Sequence, residues 1–193
     1  MTFNRKDRFF HKAKQDGYKA RSAYKLEEIQ KKYQVIPKGS FVVDLGASPG
    51  SWSQLALKLV GTEGRVVGLD LKPIDLKAPN ARFYQMDVFN LDPAIFENRP
   101  VDVLISDMAP NTTGVRSVDQ ARSEELCREV LKVSDQYLKN GGNLVMKLFE
   151  GGEAELVAAE LKARFHSFKR FKPEAVRKGS FETYLIGLKK NSI

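Results

Sequence analysis

Asp44, Asp70 and Asp87 each stand where an apolar stretch ends and a turn begins. The first opens Asp44-Leu45-Gly46-Ala47-Ser48-Pro49-Gly50-Ser51-Trp52, a loop whose glycines let a ligand approach the backbone. The loop reads G-x-x-x-G. It is neither the G-x-G-x-x-G of dinucleotide sites nor the P-loop with its Lys-Ser/Thr. The acidic Asp44 argues against a phosphate there and suits a cationic or hydroxyl-bearing ligand. Asp70 comes 26 residues later (70 − 44), where a carboxylate accepts hydrogen bonds from both hydroxyls of a ribose. Asp87 is placed to receive the exocyclic amine of an adenine. An adenosine with a positive centre and no phosphate is S-adenosylmethionine.

Two further residues are hard to read as surface. Lys147 interrupts Leu144-Val145-Met146 and Leu148-Phe149, where an unpaired lysine is costly. Asp107 follows Val103-Leu104-Ile105-Ser106. Cys127 lies in a long helical stretch, far in sequence from these loops, and reads as a small core residue. That counts against cytosine C5 methylation, which needs a thiolate nucleophile. His11 and His166 form no cluster with metal-ligand spacing, so no metal is expected.

The elements that position these residues alternate. Strands are predicted over 41–45, 65–70, 82–85, 101–106, 143–149, 166–172 and 182–188. Helices are predicted over 17–33, 52–59, 117–139 and 153–165. In the first helix Arg21, Lys25 and Glu28 share a face opposite Ala23, Leu26, Ile29 and Tyr33. Asn140-Gly141-Gly142 reads as the αL stop of the long helix. Strands separated by helices predict an α/β fold, a mostly parallel sheet covered on both faces. The last two strands have only a loop between them and are expected to run antiparallel. Three acids after successive strands then fall at the sheet's carboxyl edge, where such sheets bind ligands.

The chain has 193 residues, 42% hydrophobic and 29% charged. That is enough for one core and excludes a chain disordered throughout. One domain over 17–193, preceded by a flexible basic arm over 1–16 without periodicity, is expected. A single cysteine excludes an internal disulfide. With no long apolar run and no apolar N-terminal region, neither a membrane span nor a secretory signal is expected, and a cytoplasmic setting fits. Charge is sorted along the chain. Residues 1–38 carry 11 basic and 4 acidic groups, net +7, and residues 162–193 carry 9 and 2, again +7. The middle carries 12 and 18, net −6. Two basic ends on an acidic body predict a polyanion surface assembled from both termini.

Five segments, in order, resemble the FtsJ (RrmJ-like) family of large-subunit (23S-type) ribosomal RNA 2′-O-methyltransferases. They are Arg21-Ser22-Ala23-Tyr24-Lys25-Leu26, Asp44 through Gln54, Ser106-Asp107-Met108-Ala109-Pro110-Asn111, Val145 through Gly151, and Ser180-Phe181-Glu182-Thr183-Tyr184. The resemblance implies a Rossmann-like class I methyltransferase with a seven-stranded sheet and an antiparallel last strand. It implies a catalytic tetrad at Lys25, Asp107, Lys147 and Glu182. Cofactor contacts are implied at Gly50, Trp52, Asp70, Asp87 and Asp107, beside Asp44 and Gly46 of the loop. Ser51 stands where the family often has a second glycine, an acceptable residue at a helix start.

What the resemblance implies is S-adenosylmethionine-dependent methylation of a uridine ribose in the peptidyl-transferase A-loop, on the assembled large subunit, by a monomer. A ribose 2′-hydroxyl must be aligned with the methyl and lose its proton. Lys147 is the candidate base. Lys25 is a cation that would favour its neutral form, while Asp107 aims the amine and favours the charged one. Glu182 orients Lys25 or holds the ribose. The residues by themselves leave open a nicotinamide oxidoreductase, a non-catalytic RNA-binding assembly factor and a transfer RNA anticodon-loop methyltransferase.

Overall fold

The structure, a computed structural model, describes residues 8–192. The chain opens with α1 (Arg8–Gln15) and α2 (Ala23–Tyr33), then β1 (Phe41–Leu45), α3 (Ser51–Val60), β2 (Arg65–Asp70) and β3 (Ala81–Gln85). Short 3-10 turns at Val88–Asn90 and Pro93–Phe96 lead to β4 (Val101–Ser106). There follow α4 (Arg116–Tyr137), β5 (Leu138–Phe149), α5 (Ala154–Arg164), β6 (Phe165–Phe171) and β7 (Glu182–Lys190). The strands form one 7-stranded sheet in the order β3-β2-β1-β4-β5-β7-β6. β1 pairs in parallel with β2 and β4, β2 with β3, and β4 with β5. β7 runs antiparallel between β5 and β6. The expected mostly parallel sheet with an antiparallel last strand is therefore present. Only a loop joins β6 to β7, and antiparallel pairing needs no crossover helix.

Burial explains why these segments are strands. Every residue of β1 is buried. Phe41, Val43 and Leu45 enter one apolar cluster with α4 and α5, while Val42 enters another with α2 and α3. Leu104, Leu144, Met146 and Leu185 share the first side; Val103, Ile105, Val145 and Ile186 share the second. Helices thus cover both faces, as interior parallel strands require. Side chains alternate along a strand, so Asp44, Asp107, Lys147, Glu182 and Tyr184 all project toward the α2–α3 side.

Four expectations need correction. Arg8–Gln15, within the stretch read as an arm without periodicity, form a helix. Ala13 is its one buried residue and, with Phe9 one turn earlier, packs against Tyr24 and Ala175, so this short stretch has an apolar face that docks on α2. Residues 1–7 of that arm lie outside the described residues. The first long helix begins at Ala23 rather than at residue 17, because residues 17–22 turn and Tyr18 N–H bonds back to the Ala13 carbonyl at 2.8 Å. The long helix stops at Tyr137, because buried Leu138 already pairs with Val101. Gly141, with φ of 78°, lies in a bulge within β5 and does not cap the helix.

Lys190 closes that helix end. Its buried ammonium donates to the carbonyls of Ser134 at 2.6 Å, Asp135 at 3.0 Å and Leu138 at 3.0 Å. Asp135 lies in the last turn, where an α-helix leaves carbonyls unpaired; the Ser134 carbonyl also accepts from the Leu138 N–H, and Leu138 opens β5. Lys190→Met should cost about 2 kcal/mol, lowering Tm by about 5 °C. A scanning-calorimetry shift under about 1 °C would show that the carbonyls do not depend on it.

Candidate active site

Two ion pairs meet at the carboxyl edge of β4 and β5. Lys147 is cross-strand from Tyr184, and Phe149 from Glu182. Ser106, the last residue of β4, faces Met146, which sets Asp107 beside Lys147. The Lys147 Nζ donates to the Asp107 backbone carbonyl at 2.6 Å and lies 3.1 Å from Asp107 Oδ1. The Tyr184 hydroxyl donates to that same Oδ1 at 2.7 Å. From α2, Lys25 Nζ pairs with Glu182 Oε1 at 2.5 Å. It also lies 5.8 Å from the centre of the Tyr184 ring. Tyr184 therefore joins the two pairs, and Trp52 packs on it at a centroid distance of 5.7 Å. The four residues of the expected tetrad form one connected cluster.

Burial and charge act in opposite directions on the acid. Burial alone pushes Asp107 up, but Lys147, Lys25 and the Tyr184 hydroxyl outweigh it and hold the carboxyl below its ordinary range. Tyr184 is pushed well above 10 by burial and by the Asp107 and Glu182 carboxylates, so it remains a neutral donor. Cys127, buried beneath, donates its thiol to the Lys147 carbonyl at 3.1 Å. Burial pushes that thiol up to about 12, which leaves it inert as a nucleophile.

Asp107 also lines a cleft of about 620 Å³ with Gly46, Asp70, Asp87, Phe89 and Met108. The volume falls in the range of small-molecule sites. A Cβ at Gly46 would lie 2.3 Å from the Met108 side chain, so no side chain fits there, and φ is 78°. Asp70 accepts from the Ser48 N–H at 3.0 Å and the Lys72 N–H at 2.8 Å. Asp87 accepts from the Phe89 N–H at 3.1 Å. Each carboxylate oxygen keeps a further lone pair for a ligand. Three aspartates against Lys72 on the cleft wall suit a cationic adenosine rather than a phosphate. The residues present fit S-adenosylmethionine.

The remaining expected contacts lie behind the cleft. Gly50 caps α3 with a φ of 109°, which turns the loop into the helix. Trp52 is buried, donating its indole N–H to the Ser22 carbonyl at 2.9 Å. Ser51 shares a 2.7 Å hydrogen bond with the Ser22 hydroxyl, so the serine at that position fastens α2 to α3. Asp44 is fully buried. Its Oδ2 accepts from the Ser53 hydroxyl at 2.6 Å, while Oδ1 has no partner. Tyr184 and Ser22 were not singled out from sequence. Tyr184 had a signal, since it stands two residues from Glu182 on a strand of period two.

On the other side of the tetrad, Lys25 and Glu182 line a second groove of about 500 Å³. The cluster thus lies between two openings, one acidic and one basic. Among the described residues no group of three or more His, Cys, Asp or Glu is placed to hold a metal, and no helix is long and apolar enough to cross a membrane.

The chain is similar to known methyltransferases. Residues 18–190 match the FtsJ-like methyltransferase family. A Bdellovibrio bacteriovorus protein named ribosomal RNA large subunit methyltransferase E is 47% identical, over 98% of this chain and 100% of its own length. One of the same name from Desulforapulum autotrophicum is 48% identical over 95% of this chain and 92% of its own. A solved structure from Plasmodium falciparum, described as a ribosomal RNA methyltransferase, superposes with a TM-score of 0.81 at 27% identity. It covers 91% of this chain and 100% of that one.

Asp44 gives this site a pH signature. Burial pushes its carboxyl up to about 7, with Asp107 and Asp70 adding and Ser53 opposing. The folded state then binds that proton more tightly than the unfolded chain. Between about pH 4 and about pH 7 this group makes stability fall as pH rises, by up to about 1.4 kcal/mol per pH unit. Asp107, shifted the other way, contributes stability that is lost as pH falls. In Asp44→Asn the falling contribution should vanish, so the variant gains on the parent as pH rises. Urea melts across that range with parallel pH profiles would show that Asp44 ionises without cost.

Proposed function

The chain belongs to the FtsJ-like methyltransferase family, and on that footing we propose that it methylates the 2′-hydroxyl of a uridine ribose in large-subunit ribosomal RNA. The observation that carries this reading is the doubly anchored Lys147 amine between an acidic cleft and a basic groove. In the cleft, Asp70 would hold the ribose hydroxyls of S-adenosylmethionine, Asp87 its adenine amine and Asp107 its positive end. Bound there, S-adenosylmethionine supplies a methyl group already activated on a sulfonium. The chain's own task is to aim the hydroxyl and take its proton.

Lys147 takes that proton in its neutral form. The Asp107 carbonyl and Oδ1 fix the amine's direction, and the ammonium that results lies against a carboxylate kept ionised by Lys147, Lys25 and Tyr184. Glu182, held by Lys25, receives the substrate ribose from the groove side. Tyr184 keeps its proton and keeps Asp107 in place.

The substrate class follows the names of the relatives at 47% and 48% identity. The target within it is the peptidyl-transferase A-loop on the assembled large subunit, in the cytoplasm, with the enzyme acting as a monomer. Surface cations grip phosphates and carry little sequence information. Specificity then comes from RNA shape, and an assembled particle presents a rigid loop.

Lys147→Ala should lower methyl transfer by at least about 100-fold. Its affinity for S-adenosylhomocysteine should stay within about twofold in calorimetry, because Lys147 does not line the cofactor cleft. Turnover near that of the parent would remove Lys147 as proton acceptor. Large subunits lacking the mark should be methylated much faster than the same RNA free in solution. A preference for unmodified transfer RNA in side-by-side assays would move the enzyme to the anticodon-loop class.

A further inference from the structure

β4 leaves the sheet after Ser106, while β5 beside it continues to Phe149. The Glu150 N–H bonds to the Phe181 carbonyl on the β7 side at 2.7 Å. Backbone groups of successive residues point to opposite neighbours, so the Lys147 carbonyl and the Phe149 N–H face the side where β4 has ended. Buried backbone groups are costly unless paired.

Helix α4 supplies the partners. The Ser123 hydroxyl accepts from the Phe149 N–H at 3.1 Å, and the Cys127 thiol donates to the Lys147 carbonyl at 3.1 Å. Both side chains are buried. Four helical residues advance about 6 Å and two strand residues about 6.6 Å, so the two repeats match. The same helix face continues the pattern past the strand. Gln120 donates to the Glu150 carbonyl at 2.5 Å, and Glu124 accepts from the Glu153 N–H at 2.8 Å. A Cβ at Gly151 would lie 2.0 Å from the Gln120 amide nitrogen, so the chain after β5 is pressed onto this face. The core-facing stripe of a helix is ordinarily apolar. In the first half of α4 it is polar because it meets bare backbone where a strand is missing.

The other side of that gap is held by the same helix. Asp119 accepts from the Thr113 N–H at 2.7 Å and the Gly114 N–H at 3.2 Å, and Arg122 donates to the Asn111 carbonyl at 3.1 Å. The loop that carries Asp107 and the strand that carries Lys147 are thus both fastened to α4.

We propose that Ser123 and Cys127 are positioning residues for methyl transfer, replacing the missing length of β4 and fixing the backbone from which the Lys147 amine is aimed. The proposal rests on the ribose-methylation reading, in which Lys147 takes the proton. Neither side chain lines the cleft or the groove. Each acts through Lys147, so its loss shows in the chemical step rather than in binding. A displacement of about 1 Å at a reacting group costs up to about 100-fold.

The test uses the full chain, with methyl transfer to unmethylated large subunits, calorimetry with S-adenosylhomocysteine, and amide hydrogen exchange read by NMR. Ser123→Ala should lower kcat about tenfold and leave KM and S-adenosylhomocysteine affinity within about twofold. The Phe149 amide should then exchange at least about tenfold faster, with the Leu148 amide, which faces β7, as in the parent. Cys127→Ala should lower kcat about fivefold. Cys127→Ser keeps a donor and should hold kcat within about twofold of the parent. Packing alone gives the opposite order, because alanine suits an apolar surrounding better than a hydroxyl does. Parent-level kcat in both Ser123→Ala and Cys127→Ala overturns the proposal. A kcat as low in Cys127→Ser as in Cys127→Ala overturns the role of the thiol. A parent chain that transfers no methyl group to subunits refutes the methylation reading. A faster Phe149 amide in Ser123→Ala would then still establish the anchoring, and an unchanged one would remove it as well.

Discussion

A lysine ammonium inside an apolar sheet is tolerable only with partners at close range, and the Lys147–Asp107 contact meets that requirement. Both Lys147 groups of contact are supplied by one residue, the carbonyl and the carboxylate of Asp107. Neither residue can be buried alone without a cost of several kcal/mol. The register of β4 against β5 is therefore tied to function: a one-residue slip would turn Lys147 into the cluster formed by Leu144, Met146 and Leu148 on the opposite face. Tyr184 extends the same constraint to β7, and the Lys25–Glu182 pair extends it to α2.

From that cluster the two openings take opposite characters. Toward β1, β2 and β3, backbone turns and aspartates dominate, and the cleft attracts a cation. Toward α2 and the loop before β7, arginines and lysines dominate, and the groove attracts a polyanion. A donor carrying a positive centre and an acceptor carrying phosphates are thus drawn to different sides of one amine. Most of the favourable energy of the fold comes from the apolar faces behind this edge, not from the pairs. Each fully buried leucine or isoleucine there contributes about 1.5–3 kcal/mol, whereas a buried ion pair roughly offsets its own desolvation.

Peripheral elements serve the same edge. Ser22, Ser51 and Trp52 join α2 to α3 and so hold Lys25 over Tyr184. Glu28 and Arg21 clamp the loop that delivers Phe181 and Glu182. α1 leans on Tyr24 and Ala175, bringing the basic N-terminal segment against the basic C-terminal one.

The sequence by itself determined the strand–helix alternation, because burial on both faces forces apolar runs of a length that periodicity reveals. It also marked Lys147 and Asp107, since a charge at the end of an apolar strand is costly wherever it lies. Lys25 and Glu182 were legible only through resemblance. Nothing local distinguishes them from surface residues, and their pairing spans 157 positions (182 − 25). The helical state of Arg8–Gln15 and the early stop of α4 at Tyr137 escaped because each depends on a partner distant in sequence, Tyr24 and Ala175 for Phe9 and Ala13, and Val101 for Leu138. Only the tertiary structure decided that Trp52 and Asp44 stand behind the cleft, and that Tyr184 links the two ion pairs. Those outcomes depend on which strand lies beside which, and strand order is set by packing between segments far apart in the chain.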